Sequence, residues 1–141
     1  MGLLYELELV PLCTMQLEIG DIFQVGRGLF GSRGIGEIVR GRLEGERLKA
    51  SQLGRAAADW GLVSDDGFVR GDIRMAWKTD DGAALYMVYS AYLDVNAHAY
   101  STPEFETGDA RYAWLNRTRI VGKGMFFPEE KRVSYQLFEL R

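Results

Sequence analysis

Two tetrapeptides, Ser64-Asp65-Asp66-Gly67 and Thr79-Asp80-Asp81-Gly82, bracket the stretch Phe68 to Lys78. Asp-Gly is favoured where a hairpin needs positive φ, so each reads as a tight reversal between antiparallel strands. Ala84 to Asp94 follows the second reversal, which makes two of the longest strands sequence neighbours that pair with each other.

The rest of the chain repeats that pattern. Segments rich in Tyr, Phe, Trp, Val, Ile and Leu recur with turn signals between them, as in an all-β sandwich or barrel. Leu3 to Val10 and Met15 to Val25 read as the first strands, joined through Pro11. Gly26 to Gly36 is glycine-rich and reads as a loop; without a Lys-Ser pair it is not a phosphate cradle. Glu37 to Leu43 and Arg47 to Leu53 read as a hairpin, Arg55 to Trp60 as one helical turn, and His98 to Thr107, Arg111 to Gly122 and Arg132 to Leu140 as the remaining strands. The expectation is an all-β chain of about nine or ten strands with little helix. Closure into an antiparallel β-barrel removes the sheet edges and suits the long strands; a sandwich is the alternative. At 141 residues, a single domain over 1–141 is expected.

Composition excludes several function classes. A formal net charge of -3 gives no field for nucleic acid. No apolar run is long enough for a membrane-spanning helix, and Glu6 and Glu8 interrupt the place of a signal peptide. Met1-Gly2 is followed by Glu6 where a myristoylation signal has Ser or Thr. The sequon Asn116-Arg117-Thr118 carries no weight without a secretory signal, and the expected location is cytoplasmic. Cys13 is the only cysteine and reads as a small buried apolar residue. His98 is the only histidine, so paired-histidine metal sites and Ser-His-Asp triads have little to draw on, and His98 itself reads as a strand residue. No metal, nucleotide or other cofactor is expected.

The candidate chemistry lies in a few side chains. Asp59 and Glu106 sit beside aromatic or apolar neighbours, where burial would raise a carboxyl pKa and let either move a proton. Their structural readings are a capping role for Asp59 and a pairing of Glu106 with Arg111. Arg74 shares a strand face with Asp72 and Ala76; facing inward it would hold a carboxylate or enolate, facing outward it is a solvated barrel arginine. If Arg111 to Gly122 is a strand, Tyr112, Trp114 and Asn116 share one face and offer a stacking surface with an amide beside it, although core packing also explains Trp114. Tyr100 and Glu44 are further substrate-binding candidates. Along Ala84 to Leu93, Tyr89 lies on one face and Tyr86 and Tyr92 on the other, so one face suits a cavity and the other a covering loop or a second copy in a homo-oligomer.

Three stretches resemble the domain of unknown function 3237 family of small bacterial and fungal proteins. They are Arg40-Gly41-Arg42-Leu43-Glu44-Gly45-Glu46-Arg47-Leu48 with Ala58-Asp59-Trp60; the hairpin Asp72 to Gly82; and Thr102-Pro103-Glu104-Phe105-Glu106-Thr107 leading into Tyr112-Ala-Trp114-Leu-Asn116. The match spans most of Arg40 to Val121. It departs at Arg40-Gly41, where the family usually has two glycines, at Leu53 to Ala58, where it has a Pro-Gly-Gly turn, and at Tyr100, where an arginine is common. The resemblance implies a lipocalin-like barrel with a polar and aromatic interior and no defined activity.

The functional expectation is a barrel that binds a small aromatic or polyketide-like molecule. Its chemistry would be cofactor-independent acid-base catalysis next to a carbonyl, as in an isomerase, cyclase or lyase. Glu106 or Asp59 would move the proton, Arg74 and Asn116 would stabilise the oxyanion, and Tyr112 and Trp114 would place the ring. A non-catalytic carrier or sensor barrel is the alternative, and fold alone does not separate the two.

Overall fold

The computed structural model of the protein describes Gly2 and residues 4–141. Ten strands form one antiparallel sheet: β1 Leu9–Gly28, β2 Gly31–Glu44, β3 Lys49–Gln52, β4 Ala58–Val63, β5 Val69–Thr79, β6 Ala84–Leu93, β7 His98–Ser101, β8 Glu104–Glu106, β9 Arg119–Phe127 and β10 Arg132–Leu140. The pairings β1·β2, β2·β4, β4·β5, β5·β6, β6·β7, β7·β9, β9·β10 and β10·β1 run full circle, so the sheet closes into a barrel. The short strand β3 shares the lane of β4 between β2 and β5, and β8 shares the lane of β7 along β6.

Alternation places the core. On β5, Gly71, Ile73, Met75 and Trp77 face inward while Arg70, Asp72, Arg74 and Lys78 face solvent; on β6, Leu85, Met87, Tyr89 and Ala91 are buried and Tyr86 and Tyr92 exposed. Both reversals form as expected, but only Gly67 and Gly82 take positive φ. In the second, the Ala83 N–H donates to Thr79 Oγ1 at 2.7 Å and the Thr79 hydroxyl donates to Asp81 at 2.6 Å.

The interior divides into two halves. Around the β5–β6 turn it is packed solid by Met15, Leu43, Met75, Trp77, Leu85 and Met87, all nearly inaccessible. Gly41 makes the seat for Trp77, since a Cβ there would lie 2.8 Å from the indole ring. Around the opposite ends of β5 and β6, the lining switches to Gly34, Gly36, Gly61, Gly71, Ala91 and Ala99, and the missing side-chain volume leaves a cavity.

Several elements differ from the expectation. Gly26 to Gly36 is not a loop: β1 and β2 run through it as a long hairpin that turns at Leu29-Phe30, with Gly28 opposite Gly31. The first strand begins at Leu9, and Pro11, with no N–H to give, sits at a register shift between Pro11 and Cys13 inside β1; Met1 and Leu3 lie outside the described residues. Arg55 to Trp60 is not helical, because β4 begins at Ala58. The strand expected from Arg111 is a 3₁₀ helix, Ala110–Arg117, started by the Asp109 carboxylate, which accepts the Arg111 N–H at 2.9 Å. Among the described residues, no helix is long and apolar enough to cross a membrane.

Candidate active site in the open half of the barrel

The cavity has a volume of about 210 Å³ and opens beside the β1–β2 hairpin. Its walls are mostly aliphatic, from residues such as Leu17, Ile38, Val63, Ile73 and Leu93, with Phe126 the only phenylalanine. Four lining side chains carry polar groups: Asp59, Tyr89, Tyr135 and, on β1, Gln24.

Asp59 comes from β4, where strand parity turns Asp59, Gly61 and Val63 inward. The β4–β5 ladder pairs Ala58 with Arg74 and Asp59 with Ile73, then resumes at Leu62 with Arg70. In the gap, the Asp72 backbone N–H donates to Asp59 Oδ1 at 3.0 Å. The side chain thus replaces a ladder acceptor, which fixes the carboxylate against the wall. The second oxygen, Oδ2, has no hydrogen-bond partner among the described residues. Space for the group is provided by Gly71, whose Cβ would lie 3.2 Å from Asp59 Oδ1 and 2.9 Å from Ile73 Cδ1.

Burial pushes the Asp59 carboxyl up from 3.8 to about 6; the Asp72 N–H opposes this and the Asp72 carboxylate adds to it. Tyr89 and Tyr135 stand edge to face, with ring centroids 6.0 Å apart and planes at 80°. Burial holds the Tyr89 phenol well above its usual value, with Tyr135 and the Asp59 charge adding to the effect. Burial, then the Asp59 charge, also raises Tyr135, while Ser101 pulls slightly the other way. The Ser101 hydroxyl is near Tyr135 but outside hydrogen-bond geometry, and it is buried without a partner. Both phenols are therefore neutral, and among the described residues neither hydroxyl is hydrogen-bonded. The floor of the cavity combines one free carboxylate oxygen with two unengaged phenols in apolar surroundings.

Of the residues singled out from sequence, only Asp59 lines this cavity. Glu106 is exposed on β8, outside the barrel, near Tyr86 and Asn116, so the burial invoked for its proton transfer is absent. Arg74 faces solvent from β5, the outward alternative of its strand parity. Tyr100 is on the outer face of β7, with the Lys123 ammonium 5.9 Å from its ring centre, and Glu44 pairs with Arg42 at 2.7 Å. Helical geometry removes the common face expected for Tyr112, Trp114 and Asn116. The Tyr112 hydroxyl donates to Asp81 at 2.8 Å, Trp114 packs under the Arg47 guanidinium at 4.5 Å, and Leu115 plugs the packed end. The Asn116 amide accepts the Thr107 N–H at 2.8 Å and donates to the Thr107 carbonyl at 3.0 Å. This segment braces the closed end of the barrel. His98 pairs with Asp94 at 3.5 Å, and Cys13 is buried, with its thiol pushed up to about 12.

Tyr135 and Gln24 were not among the candidates read from sequence, and Tyr89 entered only as an aromatic of one face. The available signal was alternation: Val133, Tyr135 and Leu137 share a face of β10, as Met87, Tyr89 and Ala91 do on β6. Among the described residues, no three His, Cys, Asp or Glu side chains are grouped to hold a metal ion.

Comparison with known proteins gives a consistent family. A family model described as "Protein of unknown function (DUF3237)" matches residues 7–101 and 94–140. A "UPF0311 protein" of Rhodopseudomonas palustris (strain TIE-1) is 26% identical over 126 residues, covering 77% of this chain and 82% of the relative. Among solved structures, a beta-barrel like protein from Acinetobacter baumannii AYE superposes with a TM-score of 0.89 at 28% identity, over 97% of this chain and 98% of the other. A chain described as an enzyme from Penicillium herquei has the same fold, with a TM-score of 0.72 at 20% identity over 95% of this chain and 94% of that one.

Proposed function

The chain belongs to the DUF3237 family of proteins of unknown function, and on that premise we propose that its barrel binds a small organic molecule and acts on it by acid-base chemistry next to a carbonyl. The observation that carries this reading is the cavity floor: a wall-fixed Asp59 whose pKa of about 6 lies near neutrality, beside two neutral phenols that have no partner within hydrogen-bond geometry among the described residues. A carboxyl at that value is mostly ionised at pH 7 and accepts a proton, yet its conjugate acid returns one readily. Tyr89 and Tyr135 are donors suited to the oxygen on which charge develops as a neighbouring proton leaves. The net result is a proton moved within the substrate in an isomerisation or cyclisation; in an elimination the Asp59 proton is passed to the departing group, which leaves protonated, as water does. Asp59 takes the role first divided between it and Glu106, and the tyrosines take that given to Arg74 and Asn116. That a chain of this fold is described as an enzyme is consistent with catalysis in such a barrel. The same cavity also suits a carrier, in which the three groups only recognise ligand.

A thermal-shift screen with aromatic ketones, lactones and polyketide intermediates, followed by product analysis, separates the readings. The enzyme reading predicts a compound that binds both the parent and Asp59→Asn and is converted only by the parent, with Glu106→Gln retaining activity. A compound bound by the parent and never converted overturns catalysis in favour of the carrier.

A further inference from the structure

Every lining residue of the cavity is apolar, a glycine or alanine, or one of Asp59, Tyr89, Tyr135 and Gln24. None is Lys, Arg or His. The nearby arginines are engaged elsewhere: Arg33 donates to the Trp60 carbonyl at 2.9 Å, Arg132 pairs with Glu130 at 2.7 Å and lies over Phe127, and Arg74 faces solvent. The one charge that a bound molecule would meet is the negative charge of Asp59. A carboxylate or phosphate placed here would lose its hydration, gain no counter-ion and face a like charge. A cation would pair with Asp59, so the selection by charge works against anions.

The hydrogen-bonding inventory is equally specific. At neutral pH, Asp59 Oδ2 is an acceptor, and the Tyr89 and Tyr135 hydroxyls are donors. Their complement is a molecule with one hydroxyl to give and one oxygen that accepts, close together because the three groups share one floor. A dry cavity of ~150 Å³ takes benzene, so about 210 Å³ encloses roughly one substituted ring. Any remainder of the ligand lies at the mouth, where Gln24 provides an uncharged amide.

Building on the assignment of Asp59, Tyr89 and Tyr135 as the ligand site, we propose that the cavity takes an uncharged ring compound bearing a hydroxyl next to a carbonyl, and turns away its carboxylated counterpart. The selection is by charge, imposed by a wall without cations and a floor with one carboxylate.

Two probes of similar size test this: 2′-hydroxyacetophenone and salicylate, titrated calorimetrically into the full chain at pH 8, where Asp59 is ionised. The neutral ketone is expected to bind at least about tenfold more tightly than salicylate. In Asp59→Asn that ratio should shrink, because the repelling charge is gone, while in Tyr89→Phe ketone binding should weaken. Salicylate binding as tightly as the ketone overturns the charge selection while leaving the site intact. A ratio unchanged in Asp59→Asn also overturns it. Absence of binding by both probes overturns the ligand-site reading itself, and the proposal with it.

Discussion

Asp59 Oδ1 accepts the backbone N–H of Asp72 at 3.0 Å across a gap in the β4–β5 ladder, so a half-buried side chain does the work of a strand carbonyl. This contact fixes one oxygen and leaves the other without a hydrogen-bond partner among the described residues. It also holds a carboxylate where burial makes its ionised form costly, and the first prediction follows from that cost.

Asp59→Asn should stabilise the protein, and more so as the pH rises. The folded-state value of about 6 lies above 3.8, so the native state binds more protons than the unfolded state between these values and stability falls with rising pH. The penalty is absent below pH 3.8 and complete above about 6. At about 1.4 kcal/mol per pH unit the shift is worth up to ~3 kcal/mol. Denaturant melts at pH 4 and pH 8 should show a small gain for Asn at the first and a larger one at the second.

Tyr89→Phe and Tyr135→Phe remove hydroxyls that have no partner within hydrogen-bond geometry among the described residues, so neither should cost more than about 1 kcal/mol. Both should weaken ligand binding or turnover. Chemical melts with binding measurements on the same preparations check the pair of outcomes; a large stability loss would instead give the phenols a structural role.

Gly71→Ala puts a methyl group 2.9 Å from Ile73 Cδ1 and 3.2 Å from Asp59 Oδ1. The isoleucine tip can move aside, which keeps the stability cost to roughly 1–3 kcal/mol. The carboxylate has less room, so ligand affinity and any turnover should drop by at least about tenfold, the equivalent of 1.4 kcal/mol. Calorimetric titration beside a melt separates the two effects.

Asn116→Ala should do the opposite. It removes both amide hydrogen bonds to Thr107 at the packed end, far from the cavity, and should destabilise the fold by about 1–3 kcal/mol without altering ligand affinity. Loss of affinity in a folded Asn116→Ala protein would return this residue to the site.

The barrel was legible in the sequence because alternation and the two Asp-Gly reversals act locally. The family resemblance also holds, over nearly the whole chain. The Phe105 to Asn116 segment misled because aromatic content alone does not distinguish a strand from a helical turn. Asp109 caps the helix there, and the residues that looked like a pocket wall became a brace. The Gly26 to Gly36 run misled in the other direction. Glycines read as loop punctuation, yet here Gly34 and Gly36 lie in a strand and make room for the cavity. Asp59 was visible as a carboxylate between Ala58 and Trp60, while its partners were not: Tyr89 and Tyr135 lie on strands that meet Asp59 only when the barrel closes.

The central claim is that Asp59 is a half-buried, ligand-facing proton carrier, and carboxyl-carbon NMR titration of Asp59, with and without 2′-hydroxyacetophenone, tests it most directly. The account predicts a midpoint of about 6 in the free protein that moves when the ligand binds. A midpoint near 3.8, unmoved by ligand, would contradict it.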